Sequence, residues 1–210
     1  MFITLEGPEG SGKSSQLPIL ADWLRQQDYQ VFTTREPGGT FIGDQIRTVL
    51  GNLENTAMQP RTEILLFLAA RAQLVEEVMR PLLKKGTIIL CDRYADSTLA
   101  YQGYGHGVNL DTLKKLLDFA TGGLYPDLTL LFDIDVQAGL ERRKISGGEW
   151  NRLDAYALAF HQRVRQGYLA LAKSEPHRWI LIDAAKSFTD VQFAVQKALA
   201  DKLPSLRKAI

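Results

Sequence analysis

The run "GPEGSGKS", Gly7 to Ser14, constrains this chain more than any other stretch. Gly7, Gly12, Lys13 and Ser14 match G-x-x-x-x-G-K-[ST]. That spacing describes a loop between a strand and a helix, folded so that backbone N–H groups converge on phosphate. Both flanks are present, "FITLE" as a strand and "SSQLPILADWLRQQ" as a helix. Gly7, Pro8, Glu9, Gly10, Ser11, Gly12, Lys13 and Ser14 are therefore the expected shell of a nucleoside triphosphate. Lys13 would reach the β- and γ-phosphates, and the Ser14 hydroxyl would ligate Mg²⁺. One residue is out of keeping: Glu9 puts a carboxylate inside an anion-binding loop.

A loop of this kind sits in a sheet, and the sequence supplies one. "FITL", "VFTT", "TIILC", "LTLLF" and "WILI" are nearly continuous in apolar or β-branched residues. Continuous rather than alternating runs point to strands buried on both faces, as in a parallel sheet covered by helices. Helical patterns lie between them. The clearest is "LDAYALAFHQRVRQGYLALAK", with Leu153, Tyr156, Phe160, Val164 and Leu171 at helical spacing. The alternation predicts an α/β fold, doubly wound, in a single domain over residues 1–210. A polar residue follows each run: Glu6, Arg35, Asp92, Asp133 and Asp183. Ligands of open parallel sheets bind beyond such strand ends.

Composition excludes more than it assigns. The net charge of +1 provides no global field for nucleic acid or an anionic membrane. Neither is expected as a partner. Cys91 is the only cysteine, which fits a reducing compartment. The longest apolar run, "ILLFLAA", is far short of the roughly 20 residues a membrane span needs. A cytoplasmic protein is the expectation.

The loop names a nucleotide but not a reaction. No asparagine opens the N-K-x-D of a guanine-reading switch. An acceptor site is visible instead. "TEILLFLAARAQLVEEV" carries an apolar stripe through Ile64, Phe67, Leu68, Leu74, Val75 and Val78, and Arg71 falls on it. An arginine there must be paired or face a cavity. Phe67 could stack on a base and Arg71 bond its edge, or Arg71 could snorkel to the surface. In "CDRY", Asp92 could complete the Mg²⁺ shell opposite Ser14, and Arg93 could clamp an acceptor phosphate. In "DSTLAYQGYGHG", Thr98, Tyr101 and Gln102 share one face of a short helix, and the following glycines suggest a mobile loop. After "TREPGGT", Thr40 suits an N-cap and Arg47 is a further phosphate ligand or a solvated helix arginine. "GLERRKISGGEWNRLD" brings Arg142, Arg143, Lys144 and Arg152 to a glycine-rich turn that could serve as a lid at about 142–152. His106, His161 and His177 read as surface or loop residues.

Taken in order, "EGPEGSGKS", "TREPGGT", "RTEILLFLAAR", "CDRYADSTLAYQGYG", "YPDL" and "NRLD" make the chain resemble the thymidylate kinase family, whose members phosphorylate dTMP with ATP. The resemblance implies a five-stranded parallel sheet wrapped by helices, like P-loop nucleoside monophosphate kinases, usually as a homodimer. It implies ATP and dTMP as partners and Mg²⁺ as cofactor. At matching positions it places Glu9 and Glu36 near the acceptor's sugar and phosphate, and Arg47 and Arg93 on that phosphate. Phe67 would stack on thymine, with Arg71, Thr98 and Gln102 reading its polar edge. Tyr101 would pack under the deoxyribose and leave no room for a 2′-hydroxyl. Arg142 would lie near ATP, with Arg152 a further lid residue. No basic residue lies between Gly7 and Gly12, so the chain resembles members that take their transition-state arginine from the lid, Lys13 and Arg93 completing the catalytic set. Two rivals remain: another P-loop small-molecule kinase, or a nucleotide-binding switch without an acceptor.

Overall fold

The computed structural model describes residues 1–145 and 152–203. Among them the sheet has five strands, all parallel, in the order β2-β3-β1-β4-β5. The strands are β1 (Phe2–Glu6), β2 (Val31–Arg35), β3 (Ile88–Asp92), β4 (Leu128–Asp133) and β5 (Trp179–Asp183). Each extends one residue beyond its apolar run, to include the polar residue that ends it. β1, β3 and β4 are almost wholly buried, whereas the edge strands β2 and β5 are partly exposed. The continuous apolar pattern is therefore strictest where a strand has neighbours on both sides.

Side chains alternate across the sheet and feed two cores. Ile3, Leu5, Leu90, Leu130 and Phe132 pack with α1 (Lys13–Arg25) and α9 (Phe188–Ala200). Phe2, Ile89, Cys91 and Leu131 pack with α3 (Pro60–Leu74), α6 (Leu110–Thr121) and α8 (Leu158–Ser174). The remaining helices are α2 (Phe41–Gly51), α4 (Arg80–Lys84), α5 (Ala95–Thr98) and α7 (Val136–Ile145). Thr40 caps α2, accepting from Gly43 N, as its sequence position suggests.

The chain winds from β1 to β2 and β3 on one side, then crosses to β4 and β5 on the other. The order reverses at β1, and the loop after β1 opens at that switch point. A buried polar cluster pins the neighbouring α5 to the sheet. Asp96 receives Arg178 at 2.7 and 3.0 Å, and Arg178 also donates to Thr129 Oγ1 at 2.6 Å.

Two expectations fail. The glycines after Gln102 do not form a loose loop: residues Leu99–Gly105 continue α5 in a wider coil, closed by His106 N donating to Tyr101 O. Gly103 and Gly105 are buried there, because Leu110 and Phe160 come too close for a side chain. His161 is not a surface residue either. It is 1% exposed, against Phe160.

Candidate active site

The loop from Gly7 to Gly12 is shaped by contact as well as by dihedral angle. Gly10 has φ +68°, and a Cβ there would lie 1.8 Å from the Gly139 carbonyl oxygen on α7. Gly12 precedes α1 in a left-handed conformation without a side-chain cap, which leaves the helix N-terminus to a ligand. Lys13 is 5% exposed, and its Nζ donates to Gly7 O, Pro8 O and Ser11 Oγ at 2.9–3.0 Å. Burial and then Arg93 lower its ammonium to about 8, against the pull of Asp92, Glu9 and Glu6. Ser14 Oγ meets Asp92 Oδ2 at 2.5 Å, so the two expected Mg²⁺ ligands are adjacent.

Glu9 turns out of the loop toward Arg93 and Tyr101. Its Oε1 accepts from Arg93 Nη2 at 2.8 Å and from Tyr101 OH at 2.7 Å. Burial raises the Glu9 carboxyl, but Arg93, Lys13 and Tyr101 outweigh it and hold it at about 2. Arg93 itself has φ +68°, a strained position for a residue with a side chain. Its Nη1 donates to Gly7 O at 3.0 Å and Tyr168 OH at 3.1 Å, and its guanidinium lies 5.0 Å from the Tyr101 ring centre. The backbone turn after β3 therefore aims one cation at both the phosphate loop and Tyr101. Glu6 underlies this group, accepting from Tyr94 N, Ser97 Oγ and Tyr168 OH.

The second half of the cleft is built on α3 and α5. Arg71 is 1% exposed, so it does not snorkel. Nε and Nη2 meet Glu36 Oε2 at 2.7 and 2.6 Å, Nη1 donates to Thr98 Oγ1, and Nη2 donates to Tyr94 O. Burial disfavours the Arg71 charge, but Glu36 outweighs it and raises its pKa. Glu36 Oε1 is buried and, among the described residues, has no hydrogen-bond partner. Phe67, Arg71, Thr98, Tyr101 and Gln102 all line one cleft of about 910 Å³ with Glu9, Lys13, Ser14, Asp92 and Arg93. Arg47 lines it from α2, largely exposed, with Nη1 on Pro37 O.

The two lid arginines part company. Arg142, at the end of α7, lines the cleft, yet it reaches the turn after β5, donating to Ala184 O at 2.6 Å and Ala185 O at 3.1 Å. Arg152 does not line the cleft. Its donors go to Leu50 O, Tyr156 OH and Glu63 Oε2, a buried set that fixes the residue against α2 and α3. The expected lid falls largely on residues 146–151, outside the described residues.

Three comparisons bear on what this cleft is. A family model described as thymidylate kinase matches residues 5–195. A thymidylate kinase of Roseiflexus castenholzii is 51% identical, with 98% of this chain and 92% of that one covered. One from Exiguobacterium is 46% identical, over 97% and 95%. The chain belongs to the thymidylate kinase family. Among solved structures, the thymidylate kinase of Ehrlichia chaffeensis is 33% identical with a TM-score of 0.77, covering 95% of this chain and 98% of that one.

The thymidylate kinase match runs from β1 into α9 and so includes every element of the cleft. Three further contributors carry weak signals or none in the sequence. Arg143 lines the cleft, is bonded to Asp154 at 3.0 and 3.2 Å, and feels the charges of Glu9 and Arg93. It is one of the basic lid candidates and, next to Arg142 on α7, points about 100° away from it around the helix. Tyr168 anchors Arg93 from α8, and no local pattern marks it. Glu6 carried only the strand-end signal. That signal was uneven: Asp133 is spent on Arg165, and Asp183 on Ala185 N.

Proposed function

We propose that this chain transfers the γ-phosphoryl group of ATP to the 5′-phosphate of dTMP, releasing ADP and dTDP. One observation carries the reading. Arg93 joins the phosphate loop, through Gly7 O, to Glu9 and Tyr101 on the acceptor side of a single cleft that ends at Phe67 and Arg71. Family membership supports the same activity.

The acceptor is already an anionic oxygen, so no strong base is required. The bond from γ-phosphorus to the β-bridging oxygen breaks as the bond to the dTMP phosphate oxygen forms. Catalysis then rests on alignment and on fixed positive charge. Lys13 serves the donor phosphates, Arg93 and Arg47 the acceptor phosphate. Arg142, tied to the 184–185 turn, serves the nucleotide side, and Arg143 is the better placed transition-state cation. Glu9, drawn aside by Arg93 and Tyr101, faces the sugar rather than the phosphates of ATP. Glu36 offers its unpaired Oε1 to the acceptor. Phe67, Arg71, Thr98 and Gln102 receive the base, and Tyr101 the deoxyribose.

Ser14 and Asp92 fit Mg²⁺: they are hard oxygen donors in direct contact, and an ion held by phosphates needs only one or two protein ligands. Bound there, the ion would neutralise charge on the phosphates. We further propose one domain over residues 1–210 with a lid at about 142–152, acting in the cytoplasm as a homodimer. Among the described residues no helix is long and apolar enough to cross a membrane. Ile42 and Val49 on α2, Leu65 on α3 and Phe119 on α6 are exposed apolar residues that suit a partner subunit.

The test is ADP release with MgATP and one acceptor at a time: dTMP, dUMP, UMP, dCMP, AMP, GMP and shikimate. Strong turnover with dTMP, weaker with dUMP and little with UMP is expected. Preference for another acceptor would overturn the base and sugar assignments. Acceptor-independent ADP release would overturn the kinase reading.

A further inference from the structure

Gln102 lines the cleft beside Phe67 and Arg71, and its amide is held from behind. Nε2 donates to Glu63 Oε1 at 2.6 Å. Glu63 sits on α3, 1% exposed, inside a ring of donors. Arg152 Nη2 bonds its Oε2, Tyr156 OH lies 3.2 Å from the same oxygen, and His106 Nε2 lies 3.5 Å from Oε1. Burial pushes the Glu63 carboxyl up, but His106, Arg152 and Gln102 outweigh it and hold it at about 2.

An ionised carboxylate can only accept hydrogen bonds. The half of the Gln102 amide that faces Glu63 must therefore be its NH₂. The carbonyl is left on the other side, and among the described residues no donor meets Oε1. Nearby, Arg71 can only donate. Its Nε, one Nη1 hydrogen and both Nη2 hydrogens are taken by Glu36, Thr98 and Tyr94 O, which leaves the second Nη1 hydrogen.

We infer that Glu63 is a positioning residue for base selection: by fixing the Gln102 amide it presents an acceptor beside the Arg71 donor. This rests on the dTMP reading above. An acceptor next to a donor complements the N3–H and O4 edge of thymine or uracil. Cytosine presents the opposite pair, a bare N3 and an N4 amine, and is mismatched at both points. A site that leaves buried polar groups unpaired with the wrong base discriminates far more strongly than one that relies on shape.

The test is steady-state kinetics of the full chain with MgATP and dTMP, dUMP or dCMP. In Glu63→Gln the new amide can donate or accept, so Gln102 is free to turn over. The preference in kcat/KM for dTMP over dCMP should fall by about tenfold or more, chiefly through a higher KM for dTMP. Arg71 remains, so the preference should not vanish, and dUMP should follow dTMP. In the exchanged pair Glu63→Gln with Gln102→Glu, position 102 is again acceptor-only and the preference should return. The exchanged pair keeps one carboxylate in the cluster, so it also answers the question if the single variant does not fold. Equal losses for all three acceptors in the single variant, or no recovery in the exchanged pair, would overturn the inference. Failure of the underlying reading would look different: the unaltered chain would not turn over dTMP.

Discussion

Glu6 should make the stability of this protein fall as pH rises from about 4.5 to 7, a direction opposite to that of most paired carboxylates. It ends β1, is fully buried, and accepts from Tyr94 N at 2.8 Å, Ser97 Oγ at 2.6 Å and Tyr168 OH at 2.9 Å. Burial raises its carboxyl most, and Asp96 adds to the rise. Ser97, Arg93 and Tyr168 pull it back, and the balance stands at about 7 against an ordinary 4.5. The folded state thus holds this proton more tightly than the unfolded chain does. Its contribution to stability is fully present below pH 4.5 and is lost as pH rises through about 7. At 1.36 kcal/mol per pH unit, the interval amounts to about 3 kcal/mol. Glu6→Gln keeps the shape and removes the titration. Urea unfolding of both proteins, followed by tryptophan fluorescence across this range, reports Glu6 together with the charges that interact with it, because titrations elsewhere cancel in the difference. The variant should gain about 3 kcal/mol on the parent between pH 4.5 and pH 8. A flat difference would refute the argument that burial controls this carboxyl. The same near-flat result is expected if the donors win and Glu6 is ionised throughout, since the parent would then gain only about 0.4 kcal/mol over this range.

Two further outcomes follow from the cleft's construction. Gly139 lies on α7 outside every motif, but a Cβ there would come 2.4 Å from Glu9 O. Gly139→Ala should displace the phosphate loop, cost about 1–3 kcal/mol, and raise KM for ATP by about tenfold or more; unchanged ATP titrations would mean the loop shifts freely. Arg142 and Arg143 should separate by kinetics. Arg142→Ala should mainly raise KM for ATP, whereas Arg143→Ala should lower kcat by about 10³-fold with little change in KM, as expected for a charge supplied at the transition state; the reverse pattern would exchange their roles.

What the sequence disclosed depended on the distance over which a feature is written. The phosphate loop spans eight residues and its chemistry repeats in its spacing, so Lys13 and Ser14 were legible at once. The strands were legible because burial on both faces leaves a continuous apolar run. Arg71 was legible as an anomaly, a charge on an apolar stripe, although the stripe could not name Glu36 as its partner. The contacts that hold the site in shape were not legible. Glu63 and Gln102 are 39 residues apart, Glu63 and Arg152 are 89, and Glu6 and Tyr168 are 162. No periodicity relates such pairs. Arg152 reads as a lid cation because its basic neighbours and nearby glycines describe a lid locally, while the buried carboxylate that claims it lies far away in sequence, on α3. Gly103 and Gly105 read as mobile for a similar reason. A glycine chosen because Phe160 or Leu110 needs the room looks the same in sequence as one chosen for freedom.

The buried cations of the cleft show why these distant contacts matter for the reaction. Lys13, Arg71 and Arg93 are all largely withdrawn from water, and an isolated charge there would cost several kcal/mol. Each is instead held by a specific counter-group: carbonyls of the loop for Lys13, Glu36 for Arg71, Glu9 for Arg93. Arg93, held by a carboxylate with donors to spare, does not have to reorganise when negative charge develops beside it, which is where electrostatic catalysis gains over water, whereas Lys13 has all three ammonium hydrogens on the loop and exchanges them for phosphate oxygens. The carboxylate in the phosphate loop is then no contradiction. Glu9 fixes Arg93 at 2.8 Å, in a backbone conformation that a residue with a side chain seldom adopts, and so sets the position of the charge proposed above to bind the acceptor phosphate.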